Sequence, residues 1–368
     1  MELDFSEEQE RLRETVRKQC RDHASSTAVR AAETSASGYS TELWQALADT
    51  GITAMGIDPE YGGLGMGSLD SAIVHEELGR SLVSLPLLDS AGVCASLLQL
   101  CGSQALRQIW LPQIASGDTV LVPAWQEAAC SPNTDHWECS AVTAAGKLQL
   151  HGEKVLVPFA NSAAAVLVAL RHKGALAFAL VAADTLQLRE QPNHADQKLF
   201  AVDFTGVEID ALAKLDAGDA TATWEQAMLQ TQIAVAAQAI GGASSMLQMA
   251  NEYAQQRQQF GQPIGAFQSI AHYLADCATE IEGARYLVYQ AAWACDQGRP
   301  YAQLAMMAKL QATAVYRRST VTGVQVHGGM GFSADADPQL YYRRAKHLQL
   351  MYWDTDYLEQ RIAAEILD

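Results

Sequence analysis

The chain has no CxxC pair, no HExxH and no GxSxG among its 368 residues. Its seven cysteines (20, 94, 101, 130, 139, 277, 295) are odd in number and scattered, which argues against a disulfide framework and suits a reducing compartment. Without zinc spacing among the histidines, no protein-bound metal is expected, and the missing nucleophile elbow removes the common hydrolase reading. Positive charge is scarce as well. The sequence has 25 Lys and Arg against 42 Asp and Glu, a net charge of −17, which excludes general binding to nucleic acid or an anionic membrane. No apolar run reaches the roughly 18–20 residues that a bilayer span needs. The opening MELDFSEEQERLRETV is acidic and helix-like, unlike a signal peptide. A soluble, cytoplasmic protein is expected.

What is present is apolar. Hydrophobic residues make up 49% and charged ones only 18%, so the chain is compact, and its length exceeds one ordinary core. Ser6 with Gln9 reads as a capping box for a helix to about His23, followed by a connection over Ala24–Gly38. Ser40 caps a second helix over Thr41–Thr50. Leu69–Arg80, Ala91–Cys101 and Ser103–Ile114 complete an α-helical N-terminal domain, residues 1–117. Short alternating or β-branched runs then predict an antiparallel β domain, residues 118–221. Thr223 with Gln226 opens the last part, residues 222–368. Helices over Glu225–Gln259, Ile264–Asp296, Gln303–Val326 and Pro338–Leu367, the last broken near Tyr352–Thr355, predict an antiparallel four-helix bundle. The fold class is therefore α+β.

Two Gly-containing breaks lie between bundle helices: RQQFGQPIGAFQ (257–268) and QVHGGMGF (325–332). Each reads as a helix–helix turn or as a phosphate-and-ring clamp. Glycine lets backbone N–H groups approach a pyrophosphate, Arg supplies charge and Gln supplies directed hydrogen bonds. Arg317, Arg318, Arg343, Arg344 and Lys346 offer further local positive charge.

These motifs, with PEYGGLG (59–65), HEELGR (75–80) and YYRRAK (341–346), resemble those of the acyl-CoA dehydrogenases over nearly the whole chain. The resemblance implies FAD at a subunit interface. Arg257, Phe260, Gln268, Gln325, Gly328 and Gly329 would hold its adenosine-pyrophosphate portion, with Thr355 as a further contact. It also implies α,β-dehydrogenation of an acyl-CoA thioester, as in β-oxidation and other lipid metabolism, with an electron-transfer flavoprotein as acceptor.

The resemblance fails where a base is needed. One family position for the catalytic Glu falls on Trp353 and the other on Thr231, and neither side chain abstracts a proton. Asp354 is one residue away, a rotation of about 100° on a helix. The family's Thr-Glu-Pro, Trp-Ile-Thr/Ser-Asn and Phe-Asp-x-x-Arg stretches have drifted to Gln126-Glu127-Ala128, Leu156–Asn161 and Met228–Gln232. The regions that would serve a neighbour's FAD are intact. The resemblance is thus to the non-catalytic or half-site subunit of heterotetrameric members, including those of steroid degradation, paired with a catalytic acyl-CoA dehydrogenase-like subunit. A homotetramer using Asp354 as base, or a flavin-free scaffold, are the alternatives.

Overall fold

Ser6 opens the first helix through reciprocal bonds. Its hydroxyl accepts the Gln9 N–H at 3.2 Å, and Gln9 Oε1 accepts the Ser6 N–H at 3.1 Å. The structure, a computed structural model, describes residues 4–210, 215 and 218–367. Helix α1 spans Glu7–His23, α2 Ser26–Thr34, α3 Thr41–Asp49 and α4 Ser68–Arg80. A π-helical stretch, Leu88–Cys94, runs into α5 (Ala95–Cys101), and α6 spans Gln104–Ala115. Ser40 and Ser103 cap α3 and α6 through their hydroxyls. The expected connection over Ala24–Gly38 instead contains α2, where alanine favours helix and Ser25 Oγ accepts the Ala28 N–H.

Strands β1–β9 come next: Leu121–Ala124, Ser140–Ala144, Lys147–His151, Glu153–Pro158, Ala165–His172, Ala175–Ala182, Gln187–Glu190, Leu199–Asp203 and Glu208–Asp210. The β domain is present, but its main sheet is mixed. Strands β1 and β2 both pair in parallel with β5, while β5–β6, β2–β3 and β3–β9 are antiparallel. Alternation and turns define each strand locally but carry no signal for these non-local pairings. A second sheet, β4–β8–β7, is antiparallel with a bulge between Lys154 and Val157.

Helix α7 spans Ala220–Gln256, α8 Gln268–Asp296, α9 Ala302–His327, α10 Pro338–Leu350 and α11 Thr355–Leu367. Asp219 caps α7 by accepting the N–H groups of Thr221 and Ala222, so Thr223 lies within the first turn and not at the cap. Among the described residues α7 alone is long and apolar enough to cross a bilayer, and 67% of that stretch is buried inside the protein, as in a core helix. The expected core face of α8 is buried: Leu274, Cys277, Ile281, Ala284, Val288 and Ala291.

Backbone contacts divide the chain into two compact units. One comprises Met1–Val29, Ser68–Val83 and Gln232–Asp368; the other comprises Arg30–Gly67 and Ser84–Thr231. In the first, α4 crosses α7 backbone to backbone. A Cβ on Gly79 would stand 2.1 Å from Gln238 O, and one on Gly241 1.9 Å from Glu76 O. The HEELGR stretch ties this unit together. Glu76 accepts the Tyr289 hydroxyl at 2.5 Å and Arg285 Nε at 3.2 Å, and Glu77 accepts Arg17 at 2.7 Å. His75 contacts the Gln238 amide at 2.9 Å, and burial pushes its pKa down to about 4, so it is neutral.

Candidate cofactor site

The stretch after α7 forms a miniature hairpin and not a plain helix–helix turn. β10 (Gln258–Gln259) and β11 (Gln262–Pro263) pair antiparallel around a two-residue loop, Phe260-Gly261. Both loop residues have positive φ, 52° and 82°, the requirement of a type I′ hairpin. Gly261 adopts this freely, whereas Phe260 does so against a steric cost. The Arg257 N–H donates to Tyr253 O, and Arg257 O accepts the Ile264 N–H, each at 2.8 Å. These bonds fix the hairpin on the end of α7. The Phe260 ring is 92% exposed and stands edge-on to Phe267, with centroids 6.1 Å apart. Arg257 and Gln268 are exposed. The N-cap of α8, Phe267, makes no side-chain cap bond, so the positive end of a 29-residue helix is open to an anion.

The second glycine turn comes after α9. Gly328 has φ 61° and ψ −138°, a conformation reserved for glycine, and a 3-10 turn covers Gly328–Phe332. Nothing lies within 4 Å of a Cβ placed on Gly328 or Gly329, so their backbone is open to a ligand. Gln325 is exposed. The two turns share one support. Ala250, Ala254, Leu274 and Val326 form an apolar cluster that packs Tyr253, Ile264 and Ile270 around it. Six of the seven expected cofactor residues therefore sit on elements joined by this cluster. Thr355 is set apart at the start of α11, half-buried, with its hydroxyl accepting the Gln349 amide at 2.9 Å.

Of the basic residues expected to gather, four are engaged by the protein and Arg317 is exposed. Arg318 pairs with Glu280, Arg343 with Gln339, Lys346 with Gln349, and Arg344 donates to Val83 O.

The family's base positions hold no acid. Trp353 is 1% exposed, edge-on to Tyr357 at 5.4 Å and 5.5 Å from the Arg361 guanidinium, and its Nε1 has no hydrogen-bond partner among the described residues. Its carbonyl, with that of Met351, accepts from the buried Lys309 ammonium. Thr231 is buried and its hydroxyl donates to Ala227 O at 2.8 Å. Asp354 Oδ1 accepts the Tyr357 N–H at 2.9 Å, in the manner of a helix cap.

In the other unit, Lys154 has no exposed surface and donates to Glu127 at 2.7 Å and to Trp125 O at 3.0 Å. Burial works to raise the Glu127 carboxyl. Lys154 and the N–H groups of Glu138 and Cys139 outweigh it and hold the group below the usual carboxylate range. Burial pushes the Lys154 ammonium down, against Cys139 and Glu127. The ammonium lies 5.2 Å from the Trp137 ring, within a Trp125–Trp137–Trp224 cluster. Neither Lys154 nor Lys309 belongs to a sequence motif. On the Leu156–Asn161 stretch, Pro158 has no N–H to offer a ring, and Phe159 is buried at φ 48°.

A guanidinium, an open helix N-terminus, two exposed amides and an exposed aromatic ring match the needs of a dinucleotide pyrophosphate and its adenosine. These residues fit that half of FAD. The Trp353 region does not fit a catalytic base.

The family described as acyl-CoA dehydrogenase, N-terminal domain, matches residues 6–118, and the acyl-CoA dehydrogenase, C-terminal domain, matches 221–367. The chain is 32% identical over 342 residues to acyl-CoA dehydrogenase IpdE2 of Mycobacterium tuberculosis, covering 92% of this chain and 91% of that protein. It superposes on the ChsE4-ChsE5 complex from Mycobacterium tuberculosis with a TM-score of 0.91 at 26% identity, covering 100% of this chain and 99% of the other. The Tcur3481-Tcur3483 steroid ACAD G363A variant gives 0.89 at 28% identity, covering 98% of each chain.

Proposed function

The chain belongs to the acyl-CoA dehydrogenase family, and from that premise we propose that it completes the FAD site of a catalytic partner subunit. One observation carries the reading. The position of the family's base is filled by Trp353, a buried indole that cannot take a proton, while the hairpin bearing Arg257 and Phe260 is exposed. Asp354, the nearest acid, is engaged at the start of α11.

In this reading Arg257 neutralises pyrophosphate charge, the α8 N-terminus adds its dipole, and Gln268 and Gln325 orient polar edges. Phe260 covers an apolar face of the adenosine portion. Bound FAD supplies the hydride acceptor for α,β-dehydrogenation of an acyl-CoA thioester. The proton would be taken by a carboxylate of the partner acting as base. One similar structure named as a steroid enzyme supports a bulky acyl group, and one named as a complex of two proteins supports an assembly of unlike subunits.

Flavin count tests this. The chain purified alone should hold little FAD and oxidise no acyl-CoA, and co-expressed with a catalytic dehydrogenase subunit it should give one FAD per heterodimer. Full flavin and turnover by the lone chain would overturn the reading in favour of a homotetramer.

A further inference from the structure

We infer that Lys309 is a positioning residue whose side chain fixes the 351–354 turn, seats Trp353, and thereby sets the cofactor-facing start of α11. Only the last clause rests on the proposed completion of a FAD site.

Lys309 lies on the core face of α9 among the buried Ala305, Ala308 and Ala312, with no exposed surface of its own. A lysine in such a place needs partners, since an unpaired buried cation is costly. Its Nζ donates to Met351 O at 2.5 Å and to Trp353 O. The carbonyls flank Tyr352, which has φ 61° and is buried. A bulky residue in the left-handed region persists only where its surroundings over-determine it. A donor gripping the carbonyl on each side does that.

The position of the cation also suits its charge. Met351 is the C-cap of α10, where carbonyls lack intrahelical partners and the dipole is negative. Burial pushes the ammonium down to about 7, with the Asp354 carboxylate opposing. Even the neutral amine keeps enough N–H groups for both carbonyls.

The segment beyond the turn depends on this grip. The Trp353 indole has no partner for Nε1 among the described residues, so the ring is held by its packing and by its own main chain. The next two residues then take up the start of α11. Asp354 accepts the Tyr357 N–H, and Thr355 accepts from Gln349. A single ammonium from α9 thus sets α10's end, the indole's seat and α11's beginning.

Hydrogen exchange of Lys309→Met, in the chain alone, tests the structural part. Amides 352–357 should exchange on the order of tenfold faster or more, while α8 amides 274–291 hold their rate. Should the methionine variant not fold by circular dichroism, Lys309→Gln, which keeps one donor group, is read in the same way with a smaller increase. Unchanged exchange at 352–357, or an equal increase throughout the bundle, overturns the inference. The flavin absorbance of the variant co-purified with a catalytic subunit tests the cofactor part. Lowered flavin at unchanged subunit stoichiometry supports it. Faster exchange with full flavin overturns the link to the cofactor and leaves the proposed function to stand or fall on Arg257.

Discussion

Tyr253 stacks on His327, with ring centroids 4.4 Å apart and 28° between planes. One ring belongs to the last turns of α7 and the other to the end of α9, so the two glycine turns are braced against each other. His327 is held in turn by its Nδ1 contact with Gly323 O at 2.7 Å. Replacing His327 with Leu should keep the apolar contact but lose the anchored ring, at about 1 kcal/mol of stability. Flavin retention by the assembled complex should fall several-fold. Retention equal to wild type, by absorbance of the purified complex, would show that the brace is not used.

Arg257→Ala removes an exposed charge whose backbone bonds remain. Thermal stability of the lone chain should change by less than about 0.5 kcal/mol. The affinity of the complex for FAD should weaken by roughly 1.5–3 kcal/mol, the worth of a charge-assisted bond to phosphate. Calorimetric titration of the apo complex with FAD measures it.

Phe260 separates stability from binding. Phe260→Gly places a permissive residue at φ 52°, and the relief of about 1–2 kcal/mol outweighs glycine's entropic cost of about 0.5–1 kcal/mol. The lone chain should melt slightly higher, and FAD binding should weaken because the ring is gone. A drop in melting temperature would show that Phe260 is packed, contrary to its 92% exposure.

The Glu127–Lys154 pair predicts an asymmetry. Glu127→Gln leaves a buried cation short of its counter-charge and should cost about 3–5 kcal/mol. Lys154→Met should cost less, because the carboxylate keeps the N–H groups of Glu138 and Cys139 and is partly exposed. The folded carboxyl titrates below its ordinary value of 4.5. Its contribution is therefore complete above that pH and is lost as pH falls through the lowered value. Denaturant unfolding from pH 6 to pH 3 should show a shallower acid decline in Glu127→Gln than in wild type.

Trp353→Ala empties one of the largest buried positions and should cost about 3–5 kcal/mol, with Trp353→Phe far milder. Trp353→Phe should leave the rate per bound flavin unchanged in an assembled complex whose base lies on the partner. Loss of turnover in the stable Phe variant would place Trp353 at the chemistry.

Much of this architecture could be read from residue order. Ser6–Gln9, Ser40 and Ser103 announce helix starts because a cap is a local hydrogen bond. Arg257–Gln268 stands out because glycine, proline and arginine are grouped there, and Gln325–Phe332 because three glycines fall within eight residues at the end of a helical pattern. The hairpin at 258–263 was hidden by Phe260, since a type I′ turn is normally written with Asn or Gly. The parallel pairing of β1 and β2 with β5 was hidden because it joins distant segments. Lys309 and Lys154 belong to no motif, yet one signal existed for Lys309. It falls in step with Ala305, Ala308, Ala312 and Tyr316 on an apolar helical face, where a charge must be paired.

The exposed tips carry a consequence for the supply of the protein. Phe260, Phe332 and Met330 are 92%, 73% and 57% exposed in the single chain, an arrangement that water tolerates poorly when such residues adjoin. Copies made in excess of a covering surface would tend to associate with one another through these tips. Cells that use this chain then have reason to match its synthesis to that of whatever covers those tips.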